Sequence, residues 1–182
     1  MSAPDLRQLL LDRSVRRGDF VLASGARSSY YIDARLTTMS AQGLVLIGGL
    51  GLKTIRAAGW KPAAVGGLTM GADPVAYAIA AASASGAGVI EAFSVRKTAK
   101  DHGTGRRIEG NFRSGDAVVV VEDVITSGGS ARQAIEAIQA EGGEILGILA
   151  VVDREEGGRQ SLEQAGYQVR TLITAGELGL KK

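Results

Sequence analysis

The chain has 182 residues, with 21 Lys and Arg against 19 Asp and Glu and a single His, for a formal net charge of +2. This length suits one domain, spanning 1–182, that can bury its own core, and the even balance argues against a general nucleic-acid surface. Cysteine is absent, which excludes disulfides, thiolate metal sites and a cysteine nucleophile. No stretch reaches the ~18 apolar residues of a membrane span, and charges interrupt the N-terminal apolar run, so a cytoplasmic protein with no membrane partner is expected.

In chain order, Pro4-Asp5 with Leu6, Leu9 and Leu10 predicts a short helix ended by Gly18. Phe20–Leu22 and Tyr30–Asp33 read as a hairpin around Ser24-Gly25-Ala26-Arg27. Ser40 is placed to cap a long apolar helix that stops near Gly59. From there strands and helices alternate: strand Ala63–Gly67, helix Asp73–Ser83, strand Val89–Val95, strand Asp116–Val121, helix Ala131–Ala140, strand Glu144–Val152, helix Gly158–Ala165 and strand Tyr167–Ile173. Alternation of this kind requires crossovers and a parallel sheet. The expected fold is therefore α/β, an open and mostly parallel sheet flanked by helices. Residues 1–36 would form a small helix and hairpin hood over its carboxyl edge, and 37–182 the core.

One long segment, Arg96–Ser114, keeps neither a helical nor a strand period. Loops of that length within a compact domain usually serve function. It groups Arg96, Lys97, Lys100, Arg106 and Arg107 with His102 and several glycines. It reads either as a solvated basic surface or as a lid that closes on a small anionic ligand.

The most informative segment runs from the β-branched stretch Val118–Val121 through Glu122-Asp123 and Val124-Ile125 to Thr126-Ser127-Gly128-Gly129-Ser130. Ligands of open α/β sheets bind at the carboxyl ends of the strands, where the acid pair falls. The small residues that follow would offer backbone N–H groups at a helix N-terminus, a cradle for phosphate. The pair could also do no more than cap the next helix. Gly48-Gly49-Leu50-Gly51-Leu52-Lys53-Thr54 lacks the adjacent Gly-Lys of an ATP-binding loop and lies in an apolar helical run, and Gly128-Gly129 lacks dinucleotide spacing.

Residues 118–130 resemble the phosphoribosyl pyrophosphate (PRPP) motif of type I phosphoribosyltransferases. The resemblance implies that Glu122 and Asp123 hold the ribose hydroxyls and that Val124, Ile125, Thr126, Ser127, Gly128, Gly129 and Ser130 enclose the 5′-phosphate. Arg96-Lys97-Thr98-Ala99-Lys100-Asp101-His102-Gly103 is similar to the catalytic loop of orotate phosphoribosyltransferases, Arg-Lys-x-x-Lys-Asp-His-Gly. That likeness implies a mobile catalytic loop over 96–110. In it Arg96, Lys97, Lys100 and His102 bind the pyrophosphate of PRPP, partly across a homodimer, with Lys100 as the main catalytic cation.

Two further segments carry the resemblance. Asp153-Arg154-Glu155-Glu156-Gly157-Gly158 resembles the family segment whose arginine holds orotate. Arg154 has a fork suited to a carboxylate, the favoured reading over a helix-capping ion pair with Glu155 or Glu156. Ser24-Gly25 through Tyr30-Tyr31 resembles the N-terminal hairpin that covers the pyrimidine. Tyr30 and Tyr31 could do this, or could be one buried and one exposed strand residue. The resemblance further implies Mg²⁺ carried by PRPP and assisted by Asp123, with no metal bound directly by protein, and Thr126 beside orotate.

Some members of the family place a lysine where this chain has Ala23 and another in the loop Leu68–Pro74, and backbone from Thr69 to Ala72 is the expected substitute. Small-molecule substrates, PRPP and orotate, follow from the resemblance, and nucleic acid does not. The alternatives are a purine or uracil phosphoribosyltransferase, and a non-catalytic PRPP sensor that binds RNA through its basic loop.

Overall fold

The computed structural model describes residues 2–21, 27–86, 88–98 and 107–180. Helix α1 (Ala3–Arg13) opens on Ser2, whose hydroxyl and backbone N–H both bond the Asp5 carboxylate at 2.7 and 2.9 Å. It stops at Ser14 rather than at Gly18. Gly18 belongs instead to β1 (Val15–Val21), at the register irregularity where that strand pairs antiparallel with β2 (Arg27–Ile32). A short helix that the sequence pattern did not signal, α2 (Arg35–Thr38), then leads into α3 (Ala41–Ala57). Ser40 caps α3 as expected, its hydroxyl accepting from the Gly43 N–H at 3.0 Å.

The core follows as β3 (Ala64–Leu68), α4 (Ala72–Ser83), β4 (Glu91–Val95), β5 (Ile108–Gly110), β6 (Ala117–Ile125), α5 (Gly129–Ala140), β7 (Glu144–Asp153), α6 (Gly158–Gln164) and β8 (Val169–Thr174). Six strands form one sheet in the order β5-β4-β3-β6-β7-β8, parallel except for β5. The edge strand β5 lies inside the segment expected to be irregular. Its one buried apolar residue, Ile108, anchors it against the sheet but is too little to create a periodic signal. Val118–Val121 are fully buried, as a strand covered on both faces requires.

Two apolar layers sandwich the sheet. Residues of α1, α3 and α4 pack against Val65, Val119, Val121, Leu149 and Val151 on one face. Residues of α5 and α6 pack against Ala64, Val118, Val120, Ile148 and Ala150 on the other. The chain moves outward from β3 to β4 through α4, and outward the other way from β6 to β7 through α5. Between β3 and β6 the winding reverses, and a crevice opens at the carboxyl edge of such a switch point. Pairing shows the opening directly: β3 follows β6 only as far as Val120, while β7 follows it to Ile125.

Candidate active site

The acid pair sits within β6 rather than after it, because β7 continues to pair beyond Val121, with Glu122 opposite Ala150 and Ile125 opposite Asp153. On the β3 side the two carboxyls face the crevice. This cleft, about 620 Å³, is lined by Arg35, Leu68, Thr69, Met70, Gly71, Arg96, Lys97, Thr98, Glu122, Asp123 and Ser130. A second pocket of about 250 Å³ adjoins it, formed by Glu122, Val124 to Ala131 and Gln133. Glu122 and Ser130 line both.

Glu122 is 4 % exposed, and its Oε1 has no hydrogen-bond partner among the described residues. Burial, reinforced by the neighbouring Asp123 charge, pushes its carboxyl up to about 8. The Asp123 carboxyl is also raised by burial, an effect opposed by backbone N–H donors, including that of Val124 at 2.8 Å, and by the charge of Arg35. Two carboxyls held this way await a ligand that can supply donors or positive charge.

The smaller pocket is built from backbone. Helix α5 begins at Gly129, two residues earlier than expected, so the segment Thr126–Gly128 turns directly into the helix N-terminus. Gly158 allows α6 to press against this turn, since a Cβ there would lie 2.2 Å from the Thr126 carbonyl oxygen and 2.8 Å from the Gly128 nitrogen. Behind it, Arg132 of α5 donates to the Ser161 carbonyl and hydroxyl at 2.8 and 2.6 Å. Across the cleft, Gly71 plays the matching part, because a Cβ would meet the Asp123 carboxylate at 2.6 to 2.8 Å.

The cationic rim is formed by side chains. Arg96 and Lys97 leave β4 beside the cleft, and their segment is tied to the returning chain. The Arg96 N–H donates to the Arg107 carbonyl at 2.8 Å, Arg107 donates back to the Arg96 carbonyl at 3.3 Å, and Arg96 pairs with Glu109 at 3.0 Å. Lys100 and His102, together with Ser24 and Gly25 of the hairpin turn, lie outside the described residues.

Arg154 follows β7, its N–H bonded to the Ile125 carbonyl at 3.0 Å, which sets it beside the end of β6. Arg154 is buried, and its guanidinium lies under the Tyr30 ring, 4.9 Å from the centroid. Nε donates to Glu156 Oε1 at 3.1 Å, and Nη2 lies 2.9 Å from the same oxygen without the alignment of a hydrogen bond. The local ion pair therefore exists, and it leaves Nη2 unsatisfied. Of the tyrosines, Tyr30 is buried and Tyr31 is 39 % exposed, with its ring 5.7 Å from that of Phe20. Glu122, Asp123, Arg96, Lys97 and Ser130 share one cleft, whereas Tyr30 and Arg154 stack as a separate pair adjoining the end of β6.

One cleft residue had no signal in the sequence. Arg35 reaches the site from α2, a helix too short to generate a period, and an ion pair with Asp33 holds it there.

Residues 40–171 match the family model described as "Phosphoribosyl transferase domain". The orotate phosphoribosyltransferase of Rhodopirellula baltica is 42% identical over 177 residues, covering 95% of this chain and 92% of that protein. Among solved structures, orotate phosphoribosyltransferase of Mycobacterium tuberculosis in complex with Fe(III) dicitrate superposes with a TM-score of 0.86 at 42% identity, covering 98% of this chain and 99% of that one. The same enzyme in complex with PRPP gives 0.83 at 39% identity, with 98% and 99% coverage. Sequence likeness over nearly the whole length, on a shared mostly parallel sheet with its acid pair at the switch point, leads to one conclusion: this chain belongs to the phosphoribosyltransferase family, among its orotate phosphoribosyltransferases.

Proposed function

We propose that the chain transfers the 5-phosphoribosyl group of PRPP to orotate, giving orotidine 5′-monophosphate and pyrophosphate, a step of pyrimidine nucleotide synthesis. The observation that carries this reading is the pair of adjoining pockets that share Glu122 and Ser130, one walled by backbone and the other rimmed by Arg96 and Lys97. PRPP has the same layout, a phosphate at one end, a ribose between and a pyrophosphate at the other.

In this reading the 5′-phosphate occupies the turn Val124–Ser130, where N–H groups at the start of α5 neutralise it. Glu122 and Asp123 bind the ribose hydroxyls and lie beneath the carbon that acquires positive charge as the glycosidic bond breaks. Arg96 and Lys97, with Lys100 and His102 of the same loop, stabilise the charge that collects on the departing pyrophosphate. Arg154 and Thr126 orient orotate, with Tyr30 and Tyr31 beside its ring, so that a ring nitrogen attacks the ribose carbon.

The donor chemistry of the cleft suits Mg²⁺, since its two carboxyls are oxygen ligands and Glu122 Oε1 is unpartnered among the described residues. Mg²⁺ carried by PRPP and assisted by Asp123 would supply countercharge to the pyrophosphate. The working form is a cytoplasmic homodimer in which residues of the 96–110 loop contribute to the neighbouring subunit's site. No described helix is long and apolar enough to cross a membrane.

The test mixes the protein with orotate, PRPP and Mg²⁺ and follows the ultraviolet absorbance of orotate. Loss of absorbance that requires all components supports the assignment. Consumption of PRPP with uracil or a purine base, and none with orotate, overturns it.

A further inference from the structure

Arg35 lines the same cleft as residues 96–98 and reaches it from α2, a different element. It begins α2, and its backbone N–H and side chain both bind Asp33, with Nε 2.8 Å from Oδ1 and Nη2 3.0 Å from Oδ2. Asp33 lines a neighbouring surface groove and not the cleft, whereas Arg35 lines both. The carboxylate thus stands behind the guanidinium, and Nη1 has no partner among the described residues.

An exposed pair of this kind contributes little to stability. Its physical effect is to fix a planar fork in advance, so that less rotamer entropy is lost when an anion binds. Residues 68–71, which also line the cleft, carry no charged side chain. Among the described lining residues Arg35 is the cation contributed from outside the chain that follows β4. Its charge already reaches Asp123, at the floor of the cleft. It does not line the backbone-walled pocket.

We propose that Arg35, preset by Asp33, is a pyrophosphate-binding residue that grips the end of PRPP remote from the 5′-phosphate. The proposal rests on the reading of this cleft as a PRPP site and does not depend on which base is the acceptor.

Calorimetric titration of the full chain with two probes, inorganic pyrophosphate with Mg²⁺ and ribose 5-phosphate, tests it without turnover. Arg35→Ala should weaken pyrophosphate binding about tenfold or more, the loss of one charge-assisted bond, while ribose 5-phosphate affinity stays within about twofold. Arg35→Lys should retain part of the affinity, and Asp33→Asn, which frees the fork, should lose a smaller part. Melting curves of the Arg35 variants, at a half-exposed position, should match wild type.

Unchanged pyrophosphate affinity in Arg35→Ala overturns the proposal. So does a parallel loss for ribose 5-phosphate, which would mean that Arg35 acts through Asp123. A wild-type chain that binds both probes yet leaves orotate unconsumed would refute the acceptor assignment and still report on Arg35. One that binds neither refutes both.

Discussion

The two walls of the cleft are made of different materials. Between β6 and α5 the lining is backbone and small side chains from one continuous segment, held by Gly158 and by Arg132 donating to Ser161. The facing rim collects charged side chains from α2 and from the chain after β4, far apart in sequence and half exposed, as Arg35 and Arg96 are at 49% and 44%. A wall of N–H groups is positioned by folding itself and loses little entropy when it binds. A rim of long cations keeps more side-chain freedom except where a carboxylate presets it, as Asp33 does for Arg35, and its contribution appears where charge builds up during reaction.

The largest expected effect lies on the cationic side. Lys100→Ala should reduce kcat by roughly 100-fold or more, with substrate KM values changed far less, as for a group whose interaction strengthens in the transition state. Steady-state kinetics that show an unaltered rate would remove Lys100 from the mechanism.

The backbone wall should respond in the opposite way. Gly158→Ala places a Cβ 2.2 Å from the Thr126 carbonyl oxygen, so the turn or α6 must move. Overpacking of this kind costs about 1–3 kcal/mol. A melting temperature lowered by several degrees should accompany weaker ribose 5-phosphate binding. Normal affinity in this variant would show that the turn is softer than its packing implies.

A pH-dependent effect concerns the acid pair between the walls. In the folded free chain Glu122 titrates near pH 8 against 4.5 for an ordinary glutamate. Between those values the folded state keeps a proton that the unfolded state has released, so this group's contribution to stability falls as pH rises through the window and levels off above it. Glu122→Gln removes that slope. The variant should melt higher than wild type at about pH 8–9, with the gap closing toward about pH 5. Parallel melting curves across the range would mean that Glu122 is already ionised.

Much of this architecture could be read in advance where the physics is local. Four consecutive valines before Glu122 require a strand buried on both faces, and small residues after Ile125 require a turn into a helix, so the backbone wall was visible in one stretch of chain. The alternation of strands and helices likewise implied a parallel sheet. Elements too short to repeat a pattern left no such trace: β5 has three residues and α2 four.

Composition and periodicity therefore determined the sheet, its flanking helices and the segment that carries the acid pair, because burial and backbone hydrogen bonding act between neighbours in sequence. Tertiary structure alone decided that Arg35 shares a cleft with Asp123, that Gly71 must stay small beneath that carboxylate, and that Arg154 lies under Tyr30 while paired with Glu156. Those relations join segments separated by tens of residues. Which side chains meet there depends on where β3 parts from β6, and no local pattern encodes that separation.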